Sequence, residues 1–152
     1  MGKEDLDQID KDLLNLIQEE FPLEERPFLE IGKRLGLTED EAYLRVKNLK
    51  EKGFIRRIGP VLERKNLKLK SFLCGAYVED SRLEEVANEI NKHRGVTHNY
   101  ERDGNPNLWF TISGESLEEI ERFLEDIEKR FNIKIYRFPE KRVFKIKTVF
   151  PL

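Results

Sequence analysis

Three side chains that could do chemistry together stand at alternate positions of one segment. His98, Tyr100 and Arg102 lie within VTHNYERDGNPNLWFTI, residues 96–112. Because side chains alternate between the two faces of a β-strand, this spacing predicts that all three project from one face. An imidazole can transfer a proton or ligate a metal, a phenol can donate a proton, and a guanidinium can bind a carboxylate. The segment therefore predicts a candidate site.

Each of these residues also has an ordinary structural interpretation. A lone histidine in a strand is more often bonded to the backbone, a tyrosine more often fills a core, and an arginine more often makes a surface ion pair. The shared face favours a site, because a guanidinium is hard to place beneath packed helices. Trp109 and Phe110 are most often core residues, although an indole beside this face could stack on a flat ligand. His93, near a helix end, is interpreted as a C-terminal cation without function.

Composition restricts the kind of site that the chain can build. Its 152 residues include one cysteine, Cys74, and two histidines, His93 and His98. This excludes an internal disulfide and an iron–sulfur cluster ligated by cysteines of one chain, and it disfavours a zinc site made only of protein ligands. One imidazole is enough to ligate an iron that a macrocycle already holds.

The sequence is typical of a soluble globular protein. Hydrophobic and charged residues each make up 38% of the chain, enough for one moderate core or two small ones. No apolar run approaches the roughly 20 residues of a membrane span, and the N-terminus MGKEDLDQID is too acidic for a secretory signal. We expect a cytoplasmic location and no role at a membrane.

The N-terminal segment begins with a pattern of short helices. Apolar residues spaced three and four apart predict a first helix over residues 6–20. Pro27 opens a second helical pattern, because its fixed backbone angle suits a first turn. Gly36 follows that pattern where a left-handed C-terminal cap is expected. These signals predict two helices joined by a loop.

A third helix completes the N-terminal pattern. Thr38 and Glu41 have the spacing of a capping box, and Gly53 ends the helix that follows them. A tight turn separates the second and third helices, and an extended segment follows over residues 54–58. Together these features predict a winged helix-turn-helix domain over residues 1–60.

The remaining chain alternates between strands and helices. The predicted strands cover residues 72–78, the two sides of the turn 103–106, residues 133–138 and a final segment 143–150. The predicted helices cover residues 83–90 and 117–131. The order strand, helix, strand, strand, helix, strand predicts an α+β fold, a ferredoxin-like sandwich over residues 61–152 that carries the site.

The charge distribution argues against DNA binding as the main role. Residues 1–53 carry nine basic and fourteen acidic side chains, a net charge of −5, whereas residues 54–70 carry a net charge of +5. The predicted recognition helix begins with three acids, residues 39–41, which repel a phosphate backbone. Arg45 and the lysines further along this helix compensate only in part.

The basic connector after the helix-turn-helix has two interpretations. Most charge runs are solvated surface without a specific role. Alternatively, the connector forms an anion-binding rim that folds back onto the His98 face, where guanidinium groups would grip carboxylates at two points. The cations concerned are Arg56, Arg57, Arg64, Lys65, Lys68 and Lys70.

The layout of the chain and two of its segments resemble a known family. The winged helix and ferredoxin-like layout resembles the Lrp/AsnC regulators over nearly the whole chain. The segments FIRRIGPVLERKNLKLKSFLCGAYV and GVTHNYERDGNPNLWFTISG, with their HNYxR and NLWFT elements, more specifically resemble the siroheme decarboxylases. These enzymes are similar in fold to Lrp/AsnC proteins and act in the alternative biosynthesis of haem and haem d1.

The resemblance implies a substrate, a reaction and an assembly. The substrate is siroheme, an acidic iron tetrapyrrole from which two acetate carboxyl groups leave as carbon dioxide to give 12,18-didecarboxysiroheme. The reaction is oxygen-independent and needs no cofactor beyond the iron tetrapyrrole substrate. The resemblance also implies a homodimer, or a heterodimer with a paralogous subunit, with the site in the ferredoxin-like domains near the interface.

The resemblance also implies roles for individual residues. His98 ligates the substrate iron or protonates the reacting carbon, Tyr100 is a second acid, and Arg102 clamps a carboxylate. Anchoring the retained carboxylates aligns the departing carbon–carbon bond perpendicular to the ring. The expected substrate-binding residues are Arg56, Arg57, Lys70, Asn99 and Trp109.

Two other functions fit the same patterns. An Lrp/AsnC-type transcription regulator with a small-molecule effector would retain specific DNA in a salt-sensitive manner. A tetrapyrrole carrier would bind siroheme without releasing carbon dioxide. The mass of the product of an anaerobic incubation with siroheme separates an enzyme from a carrier.

Overall fold

The computed structural model describes residues 6–64 and 66–152 of the chain, and these ranges form five helices and four strands. They divide into two compact units. One unit extends to Val61 and includes Lys145–Leu152, and the other is Leu62–Phe144. None of the helices in the described ranges is both long and apolar enough to cross a bilayer.

The N-terminal unit contains the three expected helices. Their bounds are Gln8–Glu19 for α1, Pro27–Leu35 for α2 and Glu39–Glu51 for α3. Pro27 is the first residue of α2, and Gly36 follows it in the left-handed conformation with φ of 69°. Thr38 and Glu41 form the predicted capping box at the start of α3. The local signals therefore set these boundaries as expected.

One apolar cluster holds these helices together. Its buried side chains come from all three helices and from Ile55 just after α3. Ile31 and Leu13 are fully buried, as expected for the inward stripes of amphipathic helices. The helix-turn-helix is thus confirmed. Residues 54–58 pair with no other strand among the described residues.

The C-terminal unit follows the predicted order of strands and helices. Its elements are β1 (Lys70–Ala76), α4 (Asp80–Asn91), β2 (Val96–Glu101), β3 (Leu108–Gly114), α5 (Leu117–Phe131) and β4 (Ile135–Pro139). The strands form one sheet in the order β2-β3-β1-β4, and every neighbouring pair is antiparallel. This is the expected ferredoxin-like arrangement.

The two helices of this unit cover one face of the sheet. The core lies there, where Cys74, Phe110 and Ile112 from the strands meet Val86, Leu124 and other side chains of α4 and α5. Residues at the alternate strand positions project from the opposite face. We call this opposite side the helix-free face.

The predicted C-terminal strand is wrong. The structure assigns no strand over residues 143–150, because this segment does not pair with the sheet. Its backbone is bonded instead to side chains of α1: Gln18 accepts from Phe150 N–H at 2.8 Å and donates to Phe150 O at 3.0 Å, and Asn15 makes an equivalent pair with Leu152. Residues 145–152 therefore belong to the N-terminal unit, whereas the sequence places them in the second domain.

Candidate functional site

The helix-free face carries the predicted group of His98, Tyr100 and Arg102. In the β2–β3 register His98 lies opposite Thr111, and Tyr100 lies opposite Trp109. Asn99, between them, lies opposite the buried Phe110 and projects towards the helices. The alternation that the sequence predicts therefore separates His98 and Tyr100 from the core.

Aromatic contacts link the three side chains. The ring centroids of His98 and Tyr100 are 6.0 Å apart with an interplanar angle of 30°. The Arg102 guanidinium carbon lies 5.6 Å from the centroid of the Tyr100 ring, within the range of a cation–π interaction. Tyr100 is 49% exposed, so a ligand can reach this group from the solvent.

Two threonine hydroxyls face one nitrogen of the imidazole. Thr97 Oγ1 lies 3.0 Å from His98 Nδ1, and Thr111 Oγ1 lies 3.4 Å from the same nitrogen. The two hydroxyl oxygens are 2.9 Å apart. Nε2 of His98 makes no hydrogen bond to a residue in the described ranges, so it is the ring nitrogen available to a ligand.

Further aromatic side chains extend the helix-free face across the sheet. The rings of Trp109 and Phe138 lie 5.7 Å apart, centroid to centroid, and the indole N–H donates to Pro106 O at 3.0 Å. Gly75 makes this packing possible, since a Cβ there would come within 3.1 Å of both Trp109 Cζ3 and Pro106 Cγ. Leu73 and Tyr136 are also partly exposed on this face. The face thus offers a broad apolar surface beside a cation and an imidazole.

Asn99 lies on the opposite side of the sheet from His98. Its amide nitrogen donates to Ala87 O at 3.1 Å and to Asn91 Oδ1 at 2.9 Å, and its own Oδ1 is buried without a partner among the described residues. It lines a cavity of about 530 Å³ beside α4. The carboxylates of this cavity, those of Asp80, Glu84 and Glu101, would repel a polycarboxylate.

The cations of the connector do not gather at His98 within the C-terminal unit. Lys70 begins β1 at a position that alternates with Leu73, on the side of the helices, and is exposed there. Arg56 and Arg57 are exposed residues of the N-terminal unit. Arg64 pairs with Glu140 at 3.4 Å, Lys68 is exposed with φ of 56°, and Lys65 lies outside the described residues.

Charges on the helix-turn-helix do not favour DNA. Arg45 on α3 is bonded to Asp7 at 2.8 Å and to Asp10 at 2.7 Å, both next to or within α1. The backbone N–H of Asp10 and the Arg45 guanidinium hold the pKa of Asp7 below its usual range. Glu39 pairs with Arg26, which lowers the pKa of Glu39. A cation expected to assist phosphate binding is therefore already paired.

Cys74 and the acidic residues within the described ranges form no alternative metal centre. Burial raises the pKa of the Cys74 thiol to about 12, so it stays a neutral thiol on the core side of β1. In residues 6–64 and 66–152, no three histidine, cysteine or acidic side chains are grouped so that they could hold a metal ion.

Sequence reasoning missed several residues of the helix-free face. Thr97 and Thr111 flank the imidazole, while Leu73, Tyr136 and Phe138 extend the apolar surface. The alternation of β1 and β4 could have assigned the last three to one face, but only the order of strands brings them to the face of His98. No sequence pattern indicated that Thr97 lies beside the imidazole, because its position depends on a β-bulge.

Comparison with known proteins agrees with this architecture. The family model for the siroheme decarboxylase NirDL-like HTH domain matches residues 10–56, and the model for the AsnC-like ligand binding domain matches residues 69–145. The siroheme decarboxylase alpha subunit of Oleidesulfovibrio alaskensis is 43% identical over 149 residues, which cover 98% of this chain and 91% of that protein.

Solved structures support the same assignment. The siroheme decarboxylase NirDL in co-complex with an iron-uroporphyrin III analogue is 32% identical, with a TM-score of 0.69 over 95% of this chain and 48% of that one. An AsnC family transcriptional regulator from Agrobacterium tumefaciens has a TM-score of 0.80 at 17% identity, covering 96% of this chain and 97% of that one, which shows the shared fold alone. The chain belongs to the siroheme decarboxylase family.

Proposed function

We propose that this chain is a subunit of an enzyme that decarboxylates siroheme. Two acetate side chains of the iron tetrapyrrole each lose their carboxyl group as carbon dioxide and take up one proton, which leaves methyl groups and gives 12,18-didecarboxysiroheme. The observation that carries the proposal is the His98, Tyr100 and Arg102 group on an aromatic face, within a chain 43% identical to a siroheme decarboxylase alpha subunit.

The chemistry of the helix-free face suits this substrate. A flat macrocycle can pack on exposed aromatic side chains such as Tyr100 and Phe138. Arg102 makes no ion pair with a carboxylate in the described part of the chain, so its charge can bind a substrate carboxylate. His98 Nε2 can ligate the substrate iron or carry a proton to the reacting carbon.

We propose an individual role for each of these residues. His98 is the iron ligand or the proton donor, Tyr100 is a second proton donor, and Arg102 is a carboxylate clamp. Trp109 forms part of the aromatic wall, and its fixed indole N–H keeps the ring in place. Arg56 and Arg57 remain proposed carboxylate ligands. Lys70 and Asn99 lie on the helix side of the sheet, so the helix-free face gives their predicted role in substrate binding no support. No cofactor beyond the substrate's own iron is proposed.

The enzyme is proposed to act as a dimer, either of this chain or with a paralogous subunit. Relatives are named as alpha, NirG, NirDL and NirD subunits of siroheme decarboxylases. The helix-free face leaves several large apolar side chains partly exposed, including Leu73 at 43% and Phe138 at 45%. A second subunit over this face would exclude water from the site, which strengthens charge–charge contacts there.

The test is an anaerobic incubation of siroheme with the purified chain, alone and with a paralogous subunit. Mass spectrometry of the tetrapyrrole is expected to show the loss of two carboxyl groups. His98→Ala should abolish this loss, while His93→Ala, the matched control at the other histidine, should retain it. Iron spectra of the bound substrate, with and without His98, separate the role of ligand from that of acid.

A wild-type rate in His98→Ala would contradict the proposed role of the imidazole. Binding of siroheme without any carbon dioxide release, in either combination of subunits, would contradict the decarboxylase and favour a carrier.

A further inference from the structure

A β-bulge lies next to His98 in β2. None of the roles proposed above depends on it. Val96 lies opposite Ile112 and His98 lies opposite Thr111, so Thr97 is an extra residue in β2. In a bulge of this kind two consecutive residues oppose a single partner, and the local twist re-aims a side chain. As a result Thr97, His98 and Thr111 meet on one side of the strand pair, with their polar atoms within hydrogen-bonding distance.

The positions of the two hydroxyls are compatible with a proton on Nδ1 of the imidazole. Both oxygens lie near Nδ1, at 3.0 Å for Thr97 and 3.4 Å for Thr111. An unprotonated Nδ1 has a single lone pair and can accept a full hydrogen bond from only one hydroxyl. A protonated Nδ1–H, in contrast, can be shared between two acceptor oxygens. Thr97 can then accept from His98 and donate its own hydrogen to Thr111 at 2.9 Å.

We infer that Thr97 and Thr111 are positioning residues that keep a proton on Nδ1 of His98 and present Nε2 to the tetrapyrrole. The inference rests on the proposed decarboxylation and specifies how its imidazole is held. A neutral imidazole with Nδ1–H offers the Nε2 lone pair to iron. An imidazolium donates its Nε2 proton to the reacting carbon, forms a carbon–hydrogen bond there and keeps its Nδ1–H.

The same hydroxyl bonds serve both states of the ring. Thr97 accepts from Nδ1–H whether or not Nε2 carries a proton, so proton transfer at Nε2 requires no rearrangement behind the ring. A partner that orients a histidine through its second nitrogen is a general feature of iron and zinc ligation. Here neutral hydroxyls take that place.

The first experiment measures the tautomer directly and does not depend on turnover. The chain is labelled with ¹⁵N-histidine, and its two imidazoles are assigned with His98→Ala and His93→Ala. We expect His98 to show the Nδ1–H signature in the neutral form. In the Thr97→Val, Thr111→Val double variant the resonances should shift towards the Nε2–H form, which a histidine side chain favours in water.

Two further variants make the comparison specific. Thr97→Ser keeps a hydroxyl and should retain the Nδ1–H signature. Ser113→Ala is the matched control, because it removes the 3.1 Å hydroxyl bond between Ser113 and Ser71, also between strands of this sheet, without touching the imidazole. It should leave the His98 resonances unchanged.

The second experiment measures decarboxylation in the same variants. Loss of a partner that orients a ligating histidine typically costs roughly 10- to 100-fold in activity. We expect Thr97→Val to lower kcat by that factor with little change in KM for siroheme, and Thr97→Ser to restore most of the rate.

Each outcome decides the inference. Unchanged His98 resonances in the double valine variant would overturn it, and so would a loss of kcat that leaves the tautomer unaltered. If no form of the chain releases carbon dioxide, the proposed function fails, while the tautomer measurement still supports or overturns the positioning role.

Discussion

At the scale of single residues, Arg102 is a cation that an aromatic ring orients and that remains available to a ligand. Its guanidinium lies over the Tyr100 ring, and no carboxylate in the described ranges pairs with it. A cation–π contact orients the group but leaves its hydrogen-bond donors free for a ligand. The nearby Glu101 lies at the next strand position and therefore on the other face of the sheet.

We expect Arg102→Gln to weaken binding of siroheme more than it slows the chemical step. Loss of one charged hydrogen bond to a carboxylate should raise KM roughly tenfold, which corresponds to about 1.4 kcal/mol. Arg82→Gln is the control, since Arg82 lies over the Phe131 ring on the helix side of the sheet. Steady-state kinetics under anaerobic conditions measure both constants. An equal rise in KM for the two variants would show that the effect is not local to the candidate site.

At the scale of elements, one ion-pair network ties the edge strand β4 to helix α5. Arg137 of β4 contacts Glu128 at 2.9 Å and Glu121 at 3.1 Å, and Glu128 also accepts from Ile135 N–H at 2.8 Å. Burial raises the pKa of Glu128, but the bonds from Arg137 and Ile135 outweigh it and hold that pKa below the ordinary carboxyl value. The network fixes the strand that carries Tyr136 and Phe138.

We expect Glu128→Gln to destabilise the C-terminal unit by about 1–2 kcal/mol near neutral pH, because it leaves Arg137 without its main partner. The folded-state pKa of Glu128 is lowered, so its stabilising contribution is present above the ordinary value of 4.5 and is lost as pH falls through the folded pKa. Urea unfolding, followed by fluorescence of Trp109, the only tryptophan, measures the effect.

The exposed Glu125→Gln on the same helix is the matched control and should change little. A Glu128→Gln protein as stable as the wild type at pH 7 would contradict the role assigned to this network. The role would also be contradicted if the free energy of unfolding of Glu128→Gln fell as steeply below pH 4.5 as that of the wild type.

The helix α3 has the position of a recognition helix but not its charge. Three acids occupy its first turn, and Arg45 is bonded to Asp7 and Asp10. We therefore expect no retention of duplex DNA in a mobility-shift assay at about 0.15 M salt, where weak phosphate contacts are screened.

Removing the carboxylates that pair with Arg45 should increase the affinity of the chain for DNA. The Asp7→Asn, Asp10→Asn double variant should bind duplex DNA weakly at low salt. Asp12→Asn, the control on α1, should bind less. Tight, sequence-specific retention by the wild-type chain at physiological salt would contradict this expectation and favour a regulator.

At the scale of the whole molecule, the helix-free face is the surface where we expect a second subunit to bind. It presents Leu73, Tyr100, Tyr136 and Phe138 in a partly exposed state, although large apolar patches are uncommon on monomers. Membership of a family whose relatives are named as subunits is consistent with a covered face. The proposed substrate would also be shielded from water there.

We expect the chain, alone or with a paralogous subunit, to form an assembly larger than its own 18.1 kDa. Phe138→Asp should dissociate that assembly, because it places a charge on the apolar face. Leu23→Asp is the control, since Leu23 is 97% exposed between α1 and α2. Light scattering coupled to size-exclusion chromatography gives the masses. Equal masses for Phe138→Asp and the wild type would contradict this use of the face.

The sequence by itself determined the features that depend on neighbouring residues. Pro27, Gly36 and the Thr38–Glu41 capping box set helix boundaries, because caps act within one turn. Alternation along β2 placed His98 and Tyr100 on one face, since the strand period is two. The same local signals predicted the three helices of the N-terminal unit and the order of elements from β1 to β4, but they also predicted a strand over residues 143–150 that does not form.

Only the tertiary structure decided how distant segments pair. Strand order made the His98 face the helix-free one and brought Phe138 to Trp109, and the bulge at Thr97 placed two hydroxyls at the imidazole. Residues 143–150 alternate like a strand, yet their backbone is bonded to α1 side chains. Register, bulges and pairing depend on contacts between residues far apart in the chain, which periodicity does not encode.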